Sequence, residues 1–102
     1  MKRKRKNKRI SFVERVYRVV AKIPRGKIMT YKEVAKSAGS PMAWRAVGNV
    51  LNKNKNPMIP CHRVVRSDKK IGGYRDGTSR KISLLQKEGW IIKDKRLIKN
   101  KK

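Results

Sequence analysis

The stretch from Thr30 to Asn52, TYKEVAKSAGSPMAWRAVGNVLN, constrains the fold more than any other part of the chain. Thr30 and Glu33 form a capping box. The hydroxyl accepts from a backbone N–H of the first turn, and the carboxylate accepts from the N–H of the capping residue. Val34, Ala35 and Ala38 supply the apolar stripe of this helix, and Gly39 ends it in a left-handed cap. Ser40 as N-cap and Pro41 at the first helical position predict an immediate restart. The next helix then runs through MAWRAVGNVLN and buries Ala43, Val47, Val50 and Leu51. Two short helices joined by a tight Ala-Gly-Ser turn predict a helix-turn-helix. The plainer alternative is an αα-corner that only completes a core. The opposite face of the second helix presents Trp44, Arg45, Gly48 and Asn52. Gly48 costs about 1 kcal/mol against alanine inside a helix, which predicts that another backbone comes close there.

The rest of the chain supports the same architecture. Ser11 and Glu14 make an earlier capping box, followed at helical spacing by Phe12, Val16, Val19, Val20 and Ile23. PRG at 24–26 ends that helix, and KIM at 27–29 is an extended link. NKNKNP at 52–57 is a polar loop. MIPCHRVV reads as a short strand broken by Pro60, and RSDKKIGGY is turn chemistry. TSRKISLLQKEG predicts a fourth helix that begins at Thr78 or Ser79, turns Ile82, Leu84 and Leu85 inward and stops at Gly89; WII packs back on the core. The fold class expected is mainly α with short strands. It is a winged-helix-like helix-turn-helix domain of about four helices plus a short extended active-site segment. The domain spans residues 11–92. Residues 1–10 and 93–102 are read as basic, disordered, solvated arms, because neither holds enough apolar residues to fold against anything.

The formal net charge is +25 in 102 residues. The two ends account for +12 of it, which leaves +13 between them. Self-repulsion on that scale is relieved by a polyanion, so nucleic acid is the first partner to consider and an anionic membrane surface the second. No apolar run is long enough to span a bilayer, and the N-terminal arm lacks the pattern of a signal peptide. KRKRK reads as a nuclear-localisation signal or, more plainly, as an electrostatic arm. One cysteine and one histidine exclude an internal disulfide framework and the usual zinc sites. We therefore expect an intracellular protein, cytoplasmic or at the nucleoid, or nuclear in a eukaryote. It is expected to act as a monomer without metal, cofactor or membrane contact.

The single thiol and single imidazole are neighbours, Cys61 and His62, in IPCHRVV. A free thiol is only a few per cent thiolate at neutral pH, so a reactive one needs a base or positive charge nearby. Adjacent side chains of a regular strand point to opposite faces. Pro60 cannot donate to a ladder, so the segment is expected to be irregular, with both groups in one pocket or joined through a water. A base also needs an orienting acceptor, and among the six acids Glu88 is placed to return to this segment. The plain alternatives stay open: Cys61 as a small buried hydrophobe, His62 on the surface, Glu88 at a solvated helix end.

IPCHRVV strongly resembles the active-site motif of the O6-alkylguanine-DNA alkyltransferases, the methylated-DNA–protein-cysteine methyltransferases. IPRGKIMTYKEVAKSAGSP, RAVGNVLNKN, IGGY and LLQKEG are similar to successive blocks of that family, in order. The resemblance covers about residues 11–89, as in the family's C-terminal DNA-binding and active-site domain, with a basic arm where an N-terminal domain is usual. It implies that Cys61 attacks the alkyl carbon on O6 of a guanine flipped out of duplex DNA and keeps the alkyl group, so that each molecule acts once. It implies that His62, through a water, takes the thiol proton and that Glu88 orients His62. Tyr31 would crowd the target phosphate, assist rotation and protonate the leaving guanine, while Arg45 would fill the vacated stack. The recognition helix would lie in the minor groove, which Gly48, Ala43 and Ala46 permit and where Trp44 is larger than usual. Asn54 would tie that helix to the active-site segment. The carbonyls of Cys61 and Val64 would accept from the guanine amino group, and Pro60, Tyr74 and a backbone donor of Arg75 would complete the pocket. The competing readings are a non-catalytic alkyltransferase-like lesion binder, a class that typically lacks the cysteine, and an architectural or regulatory helix-turn-helix protein.

Overall fold

A computed structural model describes residues 10–74 and 77–101. The elements run α1 (Phe12–Ala21), β1 (Met29–Thr30), α2 (Tyr31–Ser37), α3 (Trp44–Asn52), a 3-10 turn (Cys61–Arg63), β2 (Val64–Val65), α4 (Thr78–Lys87), β3 (Trp90–Lys93) and β4 (Arg96–Asn100). This is a four-helix domain of helix-turn-helix type with short strands.

The helix boundaries follow the expected local chemistry in most places. The Ser11 side chain accepts from the Glu14 N–H, while the Glu14 carboxylate turns outward to Arg18 at 3.1 Å. At Thr30 both halves of the capping box are present. Past α2 the Ser40 N–H donates to the Ala35 carbonyl and the Gly39 N–H to Lys36, with Gly39 at φ +85°. This double closure is a Schellman motif.

The start of α3 differs from the expected Ser40–Pro41 restart. The helix begins at Trp44, Ala43 is its N-cap, and no side chain caps it. The Ser40 backbone is already committed to closing α2, and the Ala43 N–H returns to the Ser40 carbonyl in a separate turn. That turn swings α3 across α2 before helical geometry resumes.

The main core joins Val16, Val20 and Ile23 to Val34, Ala35 and Ala38, to Val47 and Leu51, and to Cys61 and Val64. Arg15 reinforces the α1–α2 junction, donating to the carbonyls of Ala38 and Ile10 at 2.8 Å each. β1 pairs in parallel with β2, Met29 against Val64 and Thr30 against Val65. This brings the start of the helix-turn-helix beside the thiol segment. A second cluster holds Val65, Ile71, Leu85 and Leu97.

Leu97 marks the largest departure from the sequence reading. Composition predicts a disordered tail over residues 93–102. Residues 96–100 instead form β4, antiparallel to β3. The hairpin is also stitched to the loop before it, the Ile71 N–H donating to Lys95 and the Leu97 N–H to Lys69, both at 2.9 Å. One buried leucine and a set of backbone partners order a segment whose composition is mostly charge. Replacing Leu97 by alanine should therefore cost about 2–4 kcal/mol in urea denaturation, whereas a free tail would show no loss.

Candidate active site and nucleic-acid interface

Cys61 and His62 lie on the 3-10 turn, where three residues make a turn and neighbours are not driven to opposite faces. Pro60 sets up the bend as its N-cap, at φ −78° and ψ 67°. Cys61 is 5% exposed, yet its surroundings are not hydrocarbon alone. The amide Nδ2 of Asn54 donates to Sγ at 3.0 Å. Asn54, itself buried, is locked by an Asx-type exchange: Nδ2 also donates to the Asn56 carbonyl, and the Asn56 N–H returns to Oδ1. Because Asn54 follows α3 by two residues, the sulfur is tied directly to the end of α3.

His62 Nε2 lies 2.7 Å from Glu88 Oε2. Glu88 also receives a forked guanidinium: Arg63 Nη2 donates to Oε2 at 2.7 Å and Nε to Oε1 at 3.0 Å. The remaining Arg63 nitrogen, Nη1, donates to the Ile23 carbonyl at 2.8 Å. Burial alone would raise the Glu88 carboxyl, but the hydrogen bonds from Arg63 and His62 outweigh it and bring it down to about 2. Burial pushes the His62 imidazole below its ordinary value; the Glu88 bond opposes this, and the charges of Arg63 and Lys81 add to it. An ionised carboxylate only accepts, so a neutral His62 carries its proton on Nε2 and leaves Nδ1 as an acceptor.

Lys81, which the sequence reading does not single out, is fully buried. Its Nζ donates to the Val64 carbonyl at 2.7 Å and the Gly73 carbonyl at 3.1 Å, and lies 3.4 Å from the Tyr31 hydroxyl. Burial brings the ammonium down to about 7, against the attraction of a Cys61 thiolate. Burial and the Cys61 charge both raise the Tyr31 phenol. The Val64 carbonyl, implied as an acceptor for guanine, already serves Lys81, which leaves it one further lone pair. Lys81, Leu85 and Glu88 share one helical face at spacings of four and three. That pattern is the available sequence signal for both buried charges. Arg63 carries no such signal, because its partners come from separate segments.

A cleft of about 460 Å³ runs beside α3, lined by Tyr31, Trp44, Arg45, Gly48, Asn49, Asn52, Arg66, Gly72, Gly73 and Thr78. Arg45 is exposed and lays its guanidinium over the Trp44 ring at 4.9 Å, with Lys32 Nζ 5.6 Å from the same ring. Ala43 and Ala46 are half-buried. A Cβ at Gly48 would meet only Tyr31 Cε1 at 3.9 Å, so no described backbone of this chain accounts for the glycine. A Cβ at Gly72, at φ +78°, would come within 3.2 Å of the Tyr31 ring and hydroxyl, so only glycine fits there. Tyr74 is half-buried against the main core. Arg75 and Asp76 lie outside the described residues. Among the described residues there is no cluster of acids, histidines and cysteines that could hold a metal, and no helix long and apolar enough to cross a membrane.

Residues 11–90 match the family model described as 6-O-methylguanine DNA methyltransferase, DNA binding domain, and the chain belongs to that family. The methylated-DNA–protein-cysteine methyltransferase of Methanosarcina barkeri is 48% identical over 80 residues, covering 76% of this chain and 49% of the relative. The chain thus spans about half the length of the curated relatives it matches. Among solved structures, Schizosaccharomyces pombe Atl1 in complex with damaged DNA containing O6-carboxymethylguanine superposes with a TM-score of 0.76 at 33% identity, over 87% of this chain and 88% of that one. Mycobacterium tuberculosis OGT in complex with DNA gives 0.74 at 39% identity, over 76% and 48%.

The folded Glu88 carboxyl lies below its ordinary value of 4.5, so its contribution to stability is present above about pH 4.5 and is lost as pH falls toward 2. In acid titrations followed by circular dichroism, Glu88→Gln should be less stable than the parent at neutral pH and should lose less stability across that window.

Proposed function

We propose that this protein repairs O6-alkylguanine in duplex DNA by transferring the alkyl group irreversibly to Cys61. The observation that carries this reading is the grouping of Cys61 Sγ, held at 3.0 Å by Asn54, with the neighbouring His62 on one 3-10 turn, the imidazole held at 2.7 Å by Glu88 from the end of α4. The family membership of residues 11–90 and the net charge of +25 support duplex DNA as the partner. An intracellular site of action, at nucleoid or nuclear DNA, goes with that substrate.

In the reaction, His62 takes the thiol proton through a water, with Nδ1 as the acceptor and Glu88 holding the ring. The sulfur attacks the alkyl carbon in line. The S–C bond forms as the C–O6 bond breaks, and its electron pair leaves on the guanine, which Tyr31 protonates. The thioether persists, so the protein turns over once. Lys81 holds the Val64 carbonyl and the Gly73 loop in place, and its ammonium attracts the thiolate. Extruding the nucleotide costs a few kcal/mol, less for a lesion that pairs badly. Arg45 recovers part of that cost by filling the gap.

A second reading has one observation in its favour. The superposition on Atl1 in complex with damaged DNA has a TM-score of 0.76, against 0.74 for Mycobacterium tuberculosis OGT in complex with DNA. On that reading the protein binds the lesion and does not react. Cys61, with its polar partner and adjacent imidazole, favours transfer.

Mass spectrometry after incubation with duplex DNA containing O6-methylguanine should find one methyl group on Cys61 and none on Cys61→Ala. Tight lesion binding with an unmodified cysteine would select the second reading. Arg45→Ala should slow transfer from duplex DNA roughly tenfold, since part of the flipping cost is no longer recovered. It should leave transfer from the free base nearly unchanged.

A further inference from the structure

We propose that the β3–β4 hairpin and the loop stitched to it form a basic wing that grips the sugar-phosphate backbone of the duplex beside the cleft. The proposal rests on the duplex partner argued above.

Arg66, Lys69, Lys70, Lys93, Lys95 and Arg96 are all exposed and lie on this one unit. Backbone hydrogen bonds join its two parts, from Ile71 to Lys95 and from Leu97 to Lys69, and Lys70 bridges to Arg96. Cations therefore face cations across strands: Lys93 opposite Arg96 in the hairpin, and Lys70 opposite Arg96 at the bridge. Like charges in directly opposed positions destabilise a sheet. Asp68 offsets part of this, pairing with Arg66 at 3.1 Å.

The turns place lysine where the backbone disfavours it. Lys69 has φ +71°, Asp94 +54° and Lys95 +61°. These are left-handed positions where glycine or asparagine costs less. The hairpin turn has two central residues at positive φ, the geometry that favours Asn-Gly, yet lysine occupies its second place. Lysine is kept at two sites where the backbone disfavours it and where, among the described residues, no carboxylate forms an ion pair with it. A row of phosphates supplies the missing counter-charge, and a sugar-phosphate backbone presents it at regular spacing.

The position of the wing agrees with that partner. Arg66 lines the cleft together with Arg45 and Gly72. It also lines a second hollow of about 340 Å³ with Tyr31, Lys32 and Trp44. Arg66 thus joins the cleft beside α3 to the loop on which the hairpin is stitched, and the wing lies on the side of the molecule that a duplex seated on α3 would approach.

The test is fluorescence-anisotropy binding of an undamaged duplex oligonucleotide over a range of salt concentrations. The Lys69→Asn/Lys95→Asn double variant should keep or raise the melting temperature, because asparagine suits both turns. Its log–log salt slope should fall in magnitude by about 1–2, at about 0.9 for each phosphate no longer neutralised. Lys93→Gln/Arg96→Gln, on ordinary strand backbone, tests the same face without altering the turns. A control pair, Lys22→Gln/Lys87→Gln, removes equal charge at the ends of α1 and α4 and should change the slope less. Folded wing variants whose slopes match the control would overturn the wing. Failure of the parent itself to bind the duplex would overturn the DNA partner instead. Alkyl transfer from the free base, which has no phosphate, should be equal in parent and wing variants.

Discussion

The carboxylate of Glu88 is the point on which the structure turns. In a chain with 31 basic and six acidic residues, this acid faces inward from the end of α4 and accepts from His62 and Arg63 together. Through Arg63 it also reaches the Ile23 carbonyl beyond α1. Three segments remote in sequence meet at one anion. A buried carboxylate with a single cationic partner gains little after desolvation. Here a fork of two hydrogen bonds and an imidazole share the charge, which is why the carboxyl remains ionised far into acid. The orientation of His62 follows from this arrangement.

The cleft face is organised differently, by small residues and cations. Gly48 leaves open the flank of α3 that Trp44 and Arg45 border, and no described residue fills it. Behind that flank Tyr31 is fixed from three sides, by its hydroxyl on the Gly73 carbonyl, by Lys81 and by its position at the first turn of a capped helix. Tyr31, which lines the cleft and packs against the core that holds Cys61, therefore links the cleft face to the thiol segment. Asn54 makes the second connection, from the end of α3 to Sγ.

Much of this is legible in the sequence because it is written in local chemistry. The caps at Ser11, Thr30 and Gly39 are short-range motifs with one stable geometry each, so they mark three helix boundaries directly. The pairing of His62 with Glu88 is approachable by elimination, since there is one imidazole and few acids. The start of α3 is misleading because Ser40 and Pro41 satisfy a helix-start pattern locally while the Schellman closure of α2 uses the same backbone. The hairpin escapes a sequence reading for a related reason. Its turn lacks Asn-Gly, and its ordering comes from Leu97 and from hydrogen bonds to a loop well before it in the chain. Lys81 shares a helical face with Leu85 and Glu88, which is the one sequence sign of its burial. Only the convergence of the Val64 and Gly73 carbonyls, which no local pattern reveals, makes its burial tolerable.

The two-rung ladder between β1 and β2 has a mechanical meaning. Tyr31 directly follows Thr30, and Cys61 lies three residues before Val64, so the phenol and the thiol flank one short parallel pair. A slip of a single residue would invert which side chains face the interior, and two rungs are too few to prevent it unaided. Registry is instead enforced from outside the strands, by the Thr30–Glu33 clasp on one side and the ammonium of Lys81 on the Val64 carbonyl on the other. Placement of the phenol relative to the sulfur is thus inherited from a helix cap and a buried cation, and a disturbance to either would shift the two groups apart before it unfolded the domain.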